Sequence, residues 1–182
     1  MSAHRTASEL DSGLDTIRAS PRDAGTIALI TRRPHPGSRE ILDEAQLDTT
    51  LGLIGDGWYV RPNKKTPDGL ANPLAQLTLM NVRAIRAIAD EVDWVMAGDQ
   101  LYVDLDLSGD NLPAGTRLAA GAAILEVTAH PHTGCAKFTE RFGSEAMRWV
   151  NSDLGRSLNL RGINTRVIEP GVVRRGEPIC KL

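Results

Sequence analysis

The chain has 182 residues, 41% of them hydrophobic, and a formal net charge of -2. That length suits one domain around one well-buried core, and 21 basic against 23 acidic residues give no broad attraction for phosphate backbones or anionic lipid, so neither nucleic-acid nor membrane binding is expected. No stretch approaches the ~20 apolar residues that span a bilayer, and the opening MSAHRTASELDSG lacks the apolar centre of a secretion signal, which makes cytoplasm the expected compartment.

Residues 1–22 are polar and rich in serine and charge. They are expected to form a flexible extension, removable with little effect on folding, ahead of a single domain over 23–182. Thr26-Ile27-Ala28-Leu29-Ile30-Thr31 reads as a strand closed by the breaker cluster Pro34-His35-Pro36-Gly37, and a second extended piece is predicted over 41–47. Gly52, Gly55 and Gly57 surround Asp56 in an apolar context. The segment lacks the Gly-Lys-Ser/Thr ending of a phosphate loop, so tight turns with Asp56 on the turn amides are expected. A polar loop over 61–72 leads to a predicted strand over 74–79, after which Asn81 can cap a helix bearing Val82, Ile85, Ala89 and Val92 on one face.

From 98 to 128 three strands are predicted, near 101–107, 116–120 and 122–129, as an antiparallel meander separated by Gly/Asp/Asn and Pro/Gly turns. A helix starting near Ser144 sets Met147, Val150, Leu154 and Leu158 along one stripe. The chain is expected to close with a hairpin, extended over 163–168, turning through Glu169-Pro170-Gly171-Val172 as a type II turn, and returning from Val173. Many short strands and few helices define a β-rich α+β class.

The two cysteines, Cys135 and Cys180, are too few for a disulfide framework. Cys180 lies close to the end of the sequence and reads as incidental. Cys135 sits in His130-Pro131-His132-Thr133-Gly134-Cys135-Ala136-Lys137-Phe138, a Pro/Gly turn that can present the thiol to a cleft. If 136–142 starts a short helix, Cys135 lies at its N-terminus near Lys137 and Arg141, a setting that suits a reactive thiol. From local sequence alone, burial as a small hydrophobe is the commoner fate of a free cysteine. His35, His130, His132 and Cys135 could supply zinc ligands, but their spacing is not that of a finger, and no structural zinc is expected. Arg161 and Arg166 read as strand arginines, with Arg161 beside Gly162 also suited to grip a phosphate.

Taken in order, Gly52-Leu53-Ile54-Gly55-Asp56, Gln76-Leu77-Thr78-Leu79-Met80-Asn81, Gly98-Asp99-Gln100-Leu101, Asn111-Leu112-Pro113-Ala114-Gly115, Gly134-Cys135 and Leu160-Arg161-Gly162 resemble the MOSC domain, the C-terminal domain of molybdenum cofactor sulfurases, in its small stand-alone form. The resemblance runs from about residue 25 to 178. It implies a MOSC-type β-barrel with a few peripheral helices, and Cys135 as the catalytic and metal-binding residue. That cysteine would carry a persulfide delivered by a pyridoxal-phosphate-dependent cysteine desulfurase, or would ligate the metal of a molybdenum-pterin cofactor in a reductase of N-oxygenated substrates served by an electron-transfer partner. Binding of molybdenum ion and of pyridoxal phosphate belongs to the same implication. By position, Thr133 and Gly134 would approach the cofactor, with Asn72, Gln100 and Arg161 as further contacts. Larger amidoxime-reducing members read Arg-Pro-Asn where this chain has Gly98-Asp99-Gln100, so a cation expected beside the cofactor phosphate is missing, and the loop leading to Cys135 is longer here. These departures favour, as the alternative, a barrel that binds without catalysis.

Overall fold

The structure, a computed structural model, describes residues 4–62 and 66–182. Two short helices, α1 (Ala7–Asp11) and α2 (Leu14–Arg18), precede β1 (Ala24–Arg32), β2 (Glu40–Leu42), β3 (Glu44–Asp48) and β4 (Gly52–Leu53). A 3-10 turn over Pro73–Ala75 leads into β5 (Leu77–Asn81), α3 (Val82–Ile88) and a second 3-10 segment, Glu91–Ala97. Then follow β6 (Leu101–Asp104), β7 (Arg117–Ala120), β8 (Ala123–Val127), α4 (Ala136–Asn151), α5 (Asp153–Ser157), β9 (Ile163–Glu169), β10 (Gly171–Arg174) and β11 (Pro178–Lys181).

Seven strands close on themselves in the order β11-β7-β8-β9-β5-β6-β1, with β1 pairing back to β11. Only β5 and β6 run parallel, because α3 and the following 3-10 segment carry the chain back between them. β2 extends the far end of β1, and β3 lies between β10 and β4 in a small separate sheet. The strand text is explained by burial on both faces. Leu79, Leu101 and Val103 point into the barrel core, while the intervening Met80 and Tyr102 point outward into a second apolar cluster under the helices. Such strands read as continuous apolar runs, yet the period-2 alternation of a strand still sorts their side chains between two cores.

The predicted cap is present, with Asn81 Oδ1 accepting from Arg83 N at 2.7 Å. α4 contains a break at Gly143 (φ 86°, ψ 168°), so a first helical piece starting after Cys135 and a second starting at Ser144 both form, as expected. Asp56 also behaves as read, its Oδ1 accepting from Trp58 N. The strand predicted over 74–79 starts later, since Pro73 opens a 3-10 turn.

Three expectations are corrected. The segment over 1–22 is not a loose arm along the described residues. Thr6 and Glu9 form a reciprocal cap on α1, and Leu10 and Ile17 are buried in the outer apolar cluster. The meander over 98–128 is not continuous, because β6 inserts between β1 and β5 and only β7 and β8 form a hairpin. The closing β9–β10 hairpin is absent, since β10 pairs with β3. Gly171 is missing from the positive-φ residues a type II turn requires. It is small because a Cβ there would stand 2.4 Å from the Ala122 carbonyl.

Candidate functional site

Cys135 is the N-cap residue of α4, in extended conformation (φ -127°, ψ 176°), and is exposed. Its place is set by Gly134. Gly134 N donates to Asn151 Oδ1 at 3.0 Å, and a Cβ on Gly134 would meet Met147 Sδ at 2.6 Å. The turn before the helix is thus tied down onto the second piece of α4.

The thiol opens on a cleft of about 370 Å³, within the usual range of small-molecule sites. The same cleft is lined by Arg33, Arg39, Arg61, Lys137, Arg141 and Arg161. These six cations come from the loop after β1, the loop after β4, α4 and the residue leading into β9. Among the described residues two of them have carboxylate partners. Arg33 forks onto Asp56 at 3.1 and 3.2 Å, and Arg161 Nη1 donates to Asp99 Oδ2 at 2.7 Å. Arg161 Nη2 also donates to the Ala97 carbonyl at 2.9 Å, and its guanidinium lies 5.1 Å from the Phe138 ring centroid.

Burial and then like charge both act against two of these cations. The Arg39 guanidinium is held below the ordinary arginine value first by burial and then by Arg141 and Arg33, and Arg61 is lowered by burial and by Arg33. Partial burial of a cation among cations is unfavourable unless an anion compensates it. The hydrogen-bond inventory gives the same indication. Among the described residues the enclosed side-chain nitrogens and oxygens without a partner are Arg39 Nε, Arg161 Nε, Asp99 Oδ1 and His132 Nδ1. Arg39, Arg161 and His132 line the cleft, and Asp99 is the partner of Arg161. Native interiors satisfy nearly all such groups, so a cluster of exceptions at one place calls for an explanation. His132 is kept neutral, its imidazole pushed down to about 3 by burial and then by Arg161, with Asp99 opposing.

Of the residues singled out in the sequence, Cys135, its neighbours Lys137 and Arg141, His35, His132 and Arg161 meet in this cleft. Thr133 is exposed and is not part of the lining, and Gly134 positions Cys135 from behind. Gln100 is buried, its Oε1 taken by Thr78 N at 2.9 Å and Thr78 Oγ1 at 2.6 Å. Asn72 caps the 3-10 turn through Leu74 N and borders a separate small cleft with Trp58 and Arg61. Arg166 pairs with Glu126 on β8. Arg39 and Arg33 stand near Gly98, within 3.7 and 3.9 Å of where its Cβ would be. Sequence reading passed over Arg33, Arg39, Arg61, Asp99 and the site role of His132. One local signal was available, the basic run Arg32-Arg33-Pro34-His35-Pro36-Gly37-Ser38-Arg39, whose cations flank a breaker.

The comparisons with known proteins agree on the family and on the fold. The model of the MOSC domain family matches residues 68–180, and the chain belongs to that family. Among solved structures it is similar to the YuaD protein of Bacillus subtilis, at 17% identity and a TM-score of 0.62, over 86% of this chain and 94% of that one. It is also similar to YiiM of Escherichia coli (19%, TM-score 0.54, over 86% and 69%) and to YiiM of Geobacillus stearothermophilus (15%, 0.54, over 87% and 75%). At these identities the likeness is one of fold. No match was found among curated proteins. Among the described residues no helix is long and apolar enough to cross a membrane, and no three His, Cys, Asp or Glu side chains group as a metal cage.

Proposed function

We propose that the cleft holds a molybdenum-pterin cofactor, with the Cys135 thiolate as the protein's ligand to the metal. The observation that carries the reading is the coincidence of one exposed thiol with cations that, among the described residues, have no carboxylate partner, and with the enclosed, unpartnered Nε atoms of Arg39 and Arg161. These residues fit the group. A thiolate suits a soft metal environment, and Arg39 and Arg61, from separate loops, would take the phosphate through planar forks that an anion satisfies better than any neutral ligand. Bound there, the cofactor supplies two-electron redox chemistry. Arg161, held by Asp99 and the Ala97 carbonyl, keeps its own charge compensated and stiffens the wall beside Phe138 rather than gripping the phosphate.

The exposure of Cys135 supports a second reading, sulfur carriage. The thiolate would attack the outer sulfur of a persulfide on a cysteine desulfurase, forming a new persulfide on Cys135 as the donor's cysteine leaves as thiolate. Expression in a host that makes the cofactor, followed by molybdenum and pterin quantification per chain, separates the two. Under the first reading the wild type carries both, Cys135→Ser keeps pterin and loses molybdenum, and Arg39→Ala/Arg61→Ala loses both. Wild-type protein retaining neither overturns that reading. Persulfide labelling of Cys135 after incubation with a desulfurase and cysteine would then establish the second, and its absence leaves a binding module without catalysis.

A further inference from the structure

His132 stands where two clefts meet. It lines the cationic cleft, and it also lines a second cleft of about 320 Å³ with no Lys, Arg, Asp or Glu in its wall, bounded by Thr128, Asn159 and Asn164 among others. Its ring nitrogens are not equivalent. Nδ1 is enclosed, has no partner, and lies 3.5 Å from Asp99 Oδ1, which is also enclosed and without one. The other carboxylate oxygen, Oδ2, is taken by Arg161 Nη1. A proton on Nδ1 satisfies both orphans together. The separation lies just outside the ordinary 2.7–3.2 Å range, and a shift of a few tenths of an ångström closes it. The opposite tautomer would set a lone pair against a carboxylate and leave two enclosed groups unsatisfied.

We infer that Asp99 is a positioning residue that fixes His132 as the Nδ1–H tautomer, so that Nε2 offers a hydrogen-bond acceptor to an N–H or O–H group of the molecule held beside Cys135. The inference rests on the reading of the cleft as a ligand site. It gives that site a discriminating element. Arginine and lysine only donate, so a cleft lined by them selects for anionic charge alone, whereas a fixed acceptor at its junction with an uncharged cleft selects for a polar hydrogen on a neutral part of the same ligand. Burial and the neighbouring Arg161 guanidinium keep the imidazole neutral, which is the form that has an acceptor.

The chain has four histidines, and three of them, His4, His35 and His130, are exposed. Long-range proton–nitrogen correlation spectra of imidazole at neutral pH, assigned by replacing those three with glutamine, read the tautomer of His132 directly in the folded protein. The expected result is a protonated Nδ1 and an unprotonated Nε2, with the preference lost in Asp99→Asn. An Nε2–H tautomer, a charged imidazole, or a tautomer unchanged in Asp99→Asn overturns the inference. In cofactor-loaded protein the Nε2 resonance should shift toward that of a hydrogen-bonded acceptor, and an unmoved resonance in loaded protein also overturns it. Failure of the cofactor to load would remove the molybdenum reading while the tautomer still decides the role of Asp99.

Discussion

Arg161 ties together the charges around the site, and its replacement separates fold from ligand binding. Arg161→Ala leaves the Asp99 carboxylate, 0% exposed, without its cation, which should cost about 3–5 kcal/mol and lower Tm by roughly 6–20 °C. Arg161→Lys should cost less, because an ammonium can keep Asp99 but not Asp99 and the Ala97 carbonyl in one planar fork. Thermal unfolding of both beside wild type checks this, and an unchanged Tm in Arg161→Ala would refute the buried pair. His132 adds a pH dependence. Its folded value of about 3 lies below the unfolded ~6.5, so the unfolded chain binds more protons between those limits and this contribution to stability falls as pH drops below about 6.5. His132→Gln should flatten the fall, as read from denaturant midpoints between pH 7 and 4. Cys135 and Arg161 were singled out by the resemblance to the MOSC domain, since local text alone left the first as a buried thiol and the second as a strand arginine, and the structure adds that both line one cleft. Arg61 carried no signal and Arg39 only that of its basic run, since a loop arginine facing solvent and one facing a cleft have the same local text, and only barrel closure distinguishes them. Gln100 and Asn72 lie outside the lining of that cleft for the converse reason. Each is polar beside a motif, but each spends its side chain on backbone hydrogens.

Among the elements, α1 overturns the expectation of a dispensable arm. The T-x-x-E signature at Thr6 and Glu9 marks a helix start and was visible, but three apolar side chains, Leu10, Leu14 and Ile17, looked too few to dock until α3 and α4 supplied the opposing surface. The attachment reaches the site helix. Trp149 Nε1 donates to Asp11 Oδ1 at 2.9 Å, and His4 packs where a Cβ on Gly143 would stand. Leu10→Ala should cost about 2–5 kcal/mol, and removal of residues 1–20 should lower Tm at least as much. A truncated protein melting with the wild type would restore the reading of a mobile arm. The strands show the complementary limit of sequence reading. Their existence followed from periodicity and turns, but the neighbour of each did not, because a strand buried on both faces carries no mark of its partner. That is why β10 and β6 were assigned to the wrong ladders.

At the scale of the molecule, the cleft exists only when loops from opposite ends of the chain are brought together, and its field should be measurable without any cofactor. Unpaired cations around Cys135 predict that anionic iodoacetate alkylates it about tenfold faster, relative to neutral iodoacetamide, than it does Cys180, and that salt erodes the difference. Peptide mass spectrometry of both sites over a salt series reads this, and equal selectivity at the two cysteines would show that the cleft carries no net positive field. The barrel closure has a consequence for synthesis. β11 seals the gap between β1 and β7, yet it leaves the ribosome last of the strands, on the order of ten seconds after β1 at ordinary elongation rates. From the emergence of β7 until β11 arrives, the nascent chain exposes two unpaired strand edges, on β1 and β7, which are templates for pairing with other chains. Slowing translation just before residue 178 should therefore increase aggregation in cells, while the same pause placed in a linker fused after residue 182, far enough on for β11 to have left the exit tunnel, should not.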